Sequence, residues 1–403
     1  MIISLILALL AGILAGTFTG IAPGIHVNLI SAILLSLLPA FISVPLISLA
    51  VFIVAMSITH SFLDFIPSVY LGAPDEDNFL SILPGHRMFN IGLGHSAVVF
   101  TLYGSIVALP TILIFTPIFI YALPVIFEAT KTIIPFILIF ISAFLIFREE
   151  KILPALTIFL LSGFLGFFAL NLPIEQPLLP LLTGLFGISN LIISLKNPSK
   201  AQKQIIKPLK KIILPKKELI KSSIASAISA PLCSFLPGIG SGHAAFIGSE
   251  LTKQSEKNDK SFLFMNGSIT TIVAALNFIA LYSIGKARSG TSAVIKEILN
   301  PFTRTDLFII LAAIIFTSLV AFFIGIQISK FFAKNIDKIN YKFLSLFTIL
   351  FLVAINFIFT NPLGILVLAT STALGIFAIL SESKRINLMG SIILPVVLFY
   401  LVF

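Results

Sequence analysis

The sequence predicts an all-α polytopic membrane protein that is built from two inverted repeats. The chain of 403 residues is 58% hydrophobic and only 10% charged, with a mean hydropathy of +1.12, as is typical of proteins with many membrane spans. One lysine-rich stretch divides the chain into halves. In each half a Pro-Gly pair interrupts an apolar segment at a matching place.

The two interruptions are Pro23-Gly24 and Pro237-Gly238. Proline removes a backbone N–H donor and glycine permits positive φ, so we expect each helix to break there. Lipid cannot satisfy the freed backbone groups, and each break must therefore face protein, water or a ligand. We predict two re-entrant broken hairpins, over 2–38 and 218–251. An ordinary kinked span is the alternative.

The remaining segments follow the same plan in both halves. The predicted units are a first inverted repeat over 1–195, a basic linker over 196–217 and a second inverted repeat over 218–403. Each repeat contains about five full spans, and an odd number inverts the second repeat relative to the first. The spans are expected at 44–65, 96–127, 132–147, 153–169 and 177–195, and at 262–284, 306–330, 341–360, 363–380 and 387–403.

The distribution of charge orients these spans in the cell membrane. The net charge is +10. With the N-terminus and C-terminus outside and the linker cytoplasmic, all but five of the 26 lysines and arginines fall on the cytoplasmic side, in accord with the positive-inside rule. The exceptions are Lys131, Lys286, Arg288, Lys296 and Arg304. No nucleic acid is expected as a partner, because the linker contains neither arginine nor aromatic residues.

The half-helices that begin after the breaks are the predicted substrate site. Each presents free N–H groups and the positive end of a helix dipole, which suits a carboxylate or a phosphate. Two such breaks in matching places are the sequence signature of a transporter site. The candidate ligands are Pro23, Gly24, His26 and Asn28 in the first half, and Pro237, Gly238, Gly240, Ser241 and His243 in the second.

A polar dip at 285–300 supplies a further group of candidate ligands for the substrate. Arg288 could bind a carboxylate through two parallel hydrogen bonds. Ser289 and Thr291 stand beside it in a hydroxyl-rich loop. For Arg288 we favour a functional role over a solvated loop.

The first half has an equivalent dip at 67–94, and this dip is acidic. Asp75 and Asp77 could hold a coupling cation, either sodium or a proton, whereas a solvated acidic loop is the alternative. Asp64 lies one turn from His60 near the end of span 44–65, and an ionisable residue there is a candidate for ion coupling. The alternative places Asp64 at the membrane interface, and His95 is interpreted as a cap of the next span.

The sequence gives little support to an enzyme. Ser241 and His243 stand at i and i+2, where side chains diverge on a helix, so His243 is poorly placed as a base for Ser241. The chain has no HExxH motif, and its single cysteine, Cys233, excludes a cysteine-based metal cluster. We therefore expect no catalytic residue, no metal site and no organic cofactor.

Several short motifs resemble one transporter family. They are Gly16-Thr-Phe-Thr-Gly20-Ile-Ala-Pro23-Gly24-Ile-His26, Leu236-Pro237-Gly238-Ile-Gly240, Gly72-Ala-Pro74-Asp75, the stretch from Pro84 to Ala97, and the loop from Gly285 to Thr291. Together they are similar to the glycine-rich motifs of the large permease subunit of the tripartite tricarboxylate transporter family. The similarity runs over most of the chain.

This resemblance implies secondary transport of an organic anion, such as a di- or tricarboxylate, driven by an ion gradient. It also implies a small membrane subunit and an extracytoplasmic binding protein as partners. The sequence leaves open a translocase for a phosphorylated lipid carrier, because a helix end binds phosphate as well as carboxylate. It also leaves open the oligomeric state, a homo-oligomer included.

Overall fold

The computed structural model is all-helical throughout the residues that it describes. These are residues 2–22, 27–36, 38–71, 82–130, 132–174, 176–196, 202–235, 241–252, 258–336 and 341–402. No strand occurs within these ranges. In a chain that must satisfy its backbone groups without water, helices provide every segment with its own hydrogen bonds.

The helices are numbered in chain order. The first half contains α1 (Ile2–Ile21), α2 (Val27–Ser36), α3 (Leu46–Leu63), α4 (Phe65–Leu71), α5 (Ile82–Asn90), α6 (Gly94–Thr130), α7 (Ile134–Phe147), α8 (Ile152–Asn171), α9 (Leu178–Leu182) and α10 (Ser189–Lys196). The second half contains α11 (Lys216–Phe235), α12 (Ser241–Leu251), α13 (Asp259–Ile284), α14 (Gly290–Ile298), α15 (Arg304–Asn335), α16 (Tyr341–Phe359), α17 (Pro362–Leu380) and α18 (Gly390–Val402). A π-helical segment, Thr183–Ile188, joins α9 to α10.

A helix occurs at each of the ten places where the sequence predicts a full span. Within the described residues, eight helical stretches are long and apolar enough to cross a membrane, and seven of them match predicted spans. The other three predictions correspond to the shorter apolar helices at 134–147, 178–193 and 345–359. The eighth long stretch is α1, which the sequence assigns to the first broken hairpin.

The two polar dips contain more helix than the sequence suggests. The span predicted at 44–65 continues past Leu63 through α4, so that this membrane-length stretch runs to Tyr70. Each dip also holds a short helix, α5 in the first and α14 in the second. α14 begins because Ser289 and Ser292 satisfy each other's backbone N–H groups in a capping box.

Packing among the described helices falls into two groups. Group A contains α1–α6 and α11–α15, and group B contains α7–α10 and α16–α18. Each group combines helices from both halves of the chain. No pair of described helices taken from different groups packs extensively, although buried apolar side chains of both groups belong to one continuous core.

Group A is held together by close approach at glycines. A methyl group at Gly104 in α6 would overlap the carbonyl oxygen of Phe264 in α13, and one at Gly267 in α13 would overlap that of Thr101 in α6. On α1, a row of glycines at four-residue spacing faces backbone carbonyls of α3. Small residues let helix backbones approach closely, and this is a principal source of helix association in lipid.

Group B contains two reciprocal contacts between the halves. The Ser162 hydroxyl donates to the Asn387 carbonyl, 3.3 Å away, and a methyl group at Gly166 would overlap the carbonyl oxygen of Ser391. This joins α8 of the first half to the last helix of the second. Here a serine and a glycine four residues apart each meet a backbone carbonyl.

The other half makes the matching contact. The Ser371 hydroxyl donates to the Pro180 carbonyl at 3.0 Å, and a methyl group at Gly375 would overlap the carbonyl oxygen of Leu185. This joins α17 of the second half to the last helical stretch of the first. The two contacts thus use the same residue types at the same spacing.

A few side chains bridge the two groups at one end of the molecule. Arg148, between α7 and α8, forms an ion pair with Glu250 of α12, and the Lys384 ammonium lies 5.2 Å from the centre of the Phe246 ring on the same helix. We call these two contacts the clasp. Both are partly exposed electrostatic contacts, which contribute little to stability.

The glycine row on α1 allows a direct test of the α1–α3 contact. Gly16→Leu is expected to destabilise the protein by about 1–3 kcal/mol, because the side chain would overlap the Met56 carbonyl oxygen and the Thr59 side chain. The midpoint of heat-induced unfolding in detergent measures this effect. Leu14→Val, at a position that is 72% exposed on the same helix, serves as the control. Equal midpoints for both variants would contradict this packing.

Candidate functional site

The described helices flank both predicted breaks. α1 ends at Ile21 and α2 begins at Val27, while α11 ends at Phe235 and α12 begins at Ser241. Ser241 is only 1% exposed. Asn28 lies in α2 and His243 lies in α12, and only their backbone positions are described. The remaining hairpin candidates lie outside the described residues and stay predictions. They are Pro23, Gly24, His26, Pro237, Gly238 and Gly240.

The second hairpin is visible in the packing of its arms. α11 and α12 contact each other directly, and a methyl group at Gly248 would lie 3.7 Å from the Ala225 side chain and 3.1 Å from the Ser229 hydroxyl. Gly248 and Ser229 are almost equally distant in sequence from residue 238. The two arms therefore lie side by side with their near ends at the predicted break.

Asp64 lies inside a membrane-length stretch and not at its end. It is 4% exposed and His60 is 5% exposed, and Leu46–Tyr70 forms one candidate span. The His60 Nδ1 atom is 3.1 Å from the Thr19 hydroxyl, and Gly20 packs on the His60 carbonyl. These contacts place the polar face of α3 beside the last turn of α1, next to the predicted break.

The α13 helix carries a comparable polar face. Asn266, Thr270 and Asn277 recur at helical spacing, and all three are buried. The Asn277 side-chain oxygen is buried and has no hydrogen-bond partner among the described residues. If Gly72 is aligned with Gly285, then Asn277 falls opposite Asp64. Each half therefore places a buried polar side chain at this position of the span that follows its predicted break.

Arg288 and Ser289 lie between α13 and α14. Gly285 ends α13 in the left-handed conformation, with φ +65°. The Ser292 hydroxyl then accepts hydrogen bonds from the backbone N–H groups of Arg288 and Ser289 at 3.0 and 2.9 Å. The Ser289 and Thr291 hydroxyls lie 3.1 Å apart. The loop is thus fixed at its backbone, and Thr291 is buried.

The Arg288 guanidinium is half-buried at the boundary between the groups. It lies 5.5 Å from the centre of the Phe127 ring of α6 and adjoins Tyr400 of α18. Burial lowers the pKa of Arg288, and the neighbouring Tyr400 opposes this effect. Its Nε and Nη2 atoms are buried and have no partner among the described residues. These two N–H groups form one edge of the guanidinium. Such an edge has the geometry to donate two parallel hydrogen bonds to the oxygens of a carboxylate.

The two acidic candidates of the first polar dip cannot be placed in the site. Asp75 and Asp77 lie outside the described residues, and their role as cation ligands stays a prediction. Within the described residues, no group of three or more His, Cys, Asp or Glu side chains could hold a metal ion.

The structure reveals one buried network that sequence reasoning missed. His95 does not act as a simple helix cap: its Nδ1 atom lies 2.9 Å from the Ser329 hydroxyl, and the Tyr70 hydroxyl donates to the Ser329 carbonyl at 3.1 Å. The network joins α4, α6 and α15 within group A. No sequence motif signals it, because Ser329 is more than 200 residues from both partners.

Comparison with known proteins agrees with this architecture. The model of the tripartite tricarboxylate transporter TctA family matches residues 6–390. A protein of Methanocaldococcus jannaschii described as uncharacterized is 33% identical over 391 residues, covering 94% of each chain. No solved structure matches the chain.

These findings define the protein as a multi-pass membrane permease. It has eight candidate membrane spans within its described residues. The chain belongs to the tripartite tricarboxylate transporter TctA family, as the resemblance in its glycine-rich motifs suggests. The family is one of transporters, and its transport systems are tripartite.

Proposed function

We propose that this permease is a secondary active transporter for a di- or tricarboxylate. The observation that carries the proposal is the Arg288 guanidinium edge, with two buried donors that lack an acceptor among the described residues. An unsatisfied buried donor costs about 1–3 kcal/mol, and a carboxylate would remove that cost. Membership of the TctA family favours the same class of substrate.

The hairpin ends are the proposed centre of the binding site. Ser241 is buried at the first residue of α12, where N–H groups at a helix start attract an anion. Together with Arg288, Ser289 and Thr291, the site would include the hairpin residues named from the sequence. These are Pro23, Gly24, His26, Asn28, Pro237, Gly238, Gly240 and His243.

We propose that the halves 1–195 and 218–403 are inverted repeats, and that helices of each repeat pack on helices of the other. The reciprocal contacts of group B support this idea, because Ser162 and Ser371 hold equivalent places in the two halves. In group A, α1 packs on α3 as α11 packs on α13, and α6 packs on α13 as α15 packs on α3. The odd number of spans makes the relation inverted, with the linker cytoplasmic and both termini outside.

Asp64 is the proposed site of ion coupling. A buried carboxylate inside a span is expensive unless it serves a function. Asp64 lies next to the end of α1 and hence next to the proposed substrate site. A sodium ion or proton bound there would offset part of the negative charge of the substrate.

Transport is proposed to occur by movement of group A, which carries both hairpins, against group B. Two observations support this mechanism: no described helix pair packs extensively between the groups, and the contacts of the clasp are weak. A small membrane subunit and an extracytoplasmic binding protein are proposed as partners, because the family's transporters are tripartite.

Uptake into proteoliposomes tests the function and the role of Arg288 together. We expect radiolabelled di- or tricarboxylates to accumulate in preference to phosphate esters. Arg288→Lys should raise the KM for uptake about ten-fold or more, because lysine keeps the charge but loses the paired donors. Arg304→Lys is the matched control, since Arg304 stacks on Phe308 of its own helix.

Two results would contradict this assignment. An unchanged KM in both Arg288→Lys and Arg288→Ala would exclude Arg288 from the site. A preference for phosphorylated lipids over carboxylates would exclude the proposed substrate class.

The coupling role of Asp64 has its own test. Asp64→Asn should abolish the stimulation of uptake by a sodium or pH gradient, since the neutral amide cannot compensate the charge of the cation. Initial rates with and without each gradient measure this effect. Asp306→Asn, at an exposed position that caps α15, should retain full stimulation. A gradient effect of wild-type size in a well-folded Asp64→Asn protein would rule out this role.

Cross-linking the clasp tests the proposed motion. In a chain with Cys233→Ser, a short reducible bifunctional thiol reagent would join Arg148→Cys to Glu250→Cys. Uptake should then stop and should recover after reduction, because the link ties group A to group B. The control joins Lys151→Cys to Glu382→Cys, whose native side chains lie 2.6 Å apart within group B. Normal uptake by fully cross-linked 148–250 protein would disprove relative movement at the clasp.

A further inference from the structure

The described part of the basic linker is docked on the protein. The backbone N–H of Ile205 donates to the Gly92 carbonyl at 2.8 Å. The buried Gln204 side chain accepts from the Gly94 N–H at 2.9 Å and donates to the Phe89 carbonyl at 3.1 Å. These bonds fix the linker to the turn between α5 and α6, although a lysine-rich sequence alone would suggest a loose connection.

Docking gives the linker two distinct faces. Ile212 and Leu214 are buried together with Gln204. The exposed lysines and isoleucines of residues 203–213 form a strip, whereas Ile206 and Leu209 pack partly against the core. We call this the cationic strip, and it consists of Lys203, Ile205, Lys207, Lys210, Lys211 and Ile213.

The charges of the strip are not neutralised within the described protein. None of its lysines forms an ion pair there. The nearest acidic residue in sequence, Glu218, instead accepts hydrogen bonds from Asn258 at 2.9 Å and Ser261 at 3.0 Å. The strip therefore presents a concentrated positive charge together with apolar side chains.

The exposed isoleucines indicate where the strip lies. Ile205 is 54% exposed and Ile213 is 66% exposed, which would be unfavourable in water. The strip leads into α11, where isoleucines at 220, 224 and 228 form an exposed apolar row at four-residue spacing. Such a row on a membrane protein faces lipid. The cationic strip thus lies directly beside the lipid-facing surface of α11.

We infer that the cationic strip binds anionic lipid headgroups of the adjacent leaflet. The lysines would contact the headgroups while Ile205 and Ile213 enter the boundary between headgroups and acyl chains. Each lysine near an anionic membrane surface strengthens such binding about five-fold. The inference is independent of the transported substrate and holds for whichever leaflet the linker meets.

The chain contains no tryptophan, so one introduced tryptophan reports on the strip. Ile213→Trp protein is reconstituted into vesicles containing brominated phosphatidylglycerol or brominated phosphatidylcholine. We expect fluorescence quenching by the anionic lipid to be at least about two-fold greater. Replacing Lys207, Lys210 and Lys211 by glutamine should remove this preference, and high salt should weaken it.

Ile42→Trp is the matched control. Ile42 is 93% exposed and lies in a region without lysine or arginine, so its quenching should not depend on lipid charge. Quenching of Ile213→Trp that is absent, or equal in both lipids, would overturn the inference. Uptake measured in the same vesicles tests the transport proposal separately, so failure of one does not imply failure of the other.

Discussion

Close contact between a small residue on one helix and a backbone carbonyl on the next is the interaction on which the structure depends. In lipid, apolar side chains gain little by leaving one apolar environment for another, so helices associate by close packing and interhelical hydrogen bonds. The Gly104–Phe264 and Gly267–Thr101 contacts bring α6 and α13 together in group A. In group B, Gly166 and Gly375 make equivalent contacts.

The distribution of these close contacts explains why the described helices form two groups. The two groups each contain glycine-mediated contacts, whereas the boundary between them has the clasp at one end and Arg288 with Tyr400 at the other. α13 runs between these ends, and its 26 residues span about 39 Å. Buried apolar side chains of both groups also belong to one continuous core, but apolar contacts gain little over lipid, and a partly exposed ion pair and a cation–π contact are weak. The same arrangement leaves the Nε and Nη2 atoms of Arg288 without a partner among the described residues.

The helices were largely predictable from the sequence, but their partners were not. Hydropathy locates ten spans because each must cross the membrane with apolar side chains. It could not show that α8 packs on α18, or that α17 packs on α9 and the π-helical segment. One signal was present: Ser162-Gly-Phe-Leu-Gly166 and Ser371-Thr-Ala-Leu-Gly375 share their serine, their leucine and their final glycine.

The candidate site was predictable in its chemistry more than in its geometry. Arg288 stands out from the sequence because it is an exception to the positive-inside rule, and two of its guanidinium N–H groups are buried without a partner in the described part of the chain. The sequence places Asp64 near the end of the span predicted at 44–65, yet the helical stretch continues past Pro67 through α4 to Leu71. Proline is tolerated there because neighbouring helices cover the segment. The burial of Asp64 therefore depends on tertiary packing, which no local pattern encodes.

Two unsatisfied polar groups lie close to the proposed substrate site. The Asn277 oxygen and the Arg288 edge are both buried without partners among the described residues, and both belong to group A near the end of α13. Folding alone would favour replacing such groups by apolar ones, since each costs free energy when it lacks a partner. Their presence is explained if a polar solute or a cation completes them during part of the transport cycle. Arg288 adjoins Tyr400 of group B, so relative movement of the groups would also change the surroundings of its charge.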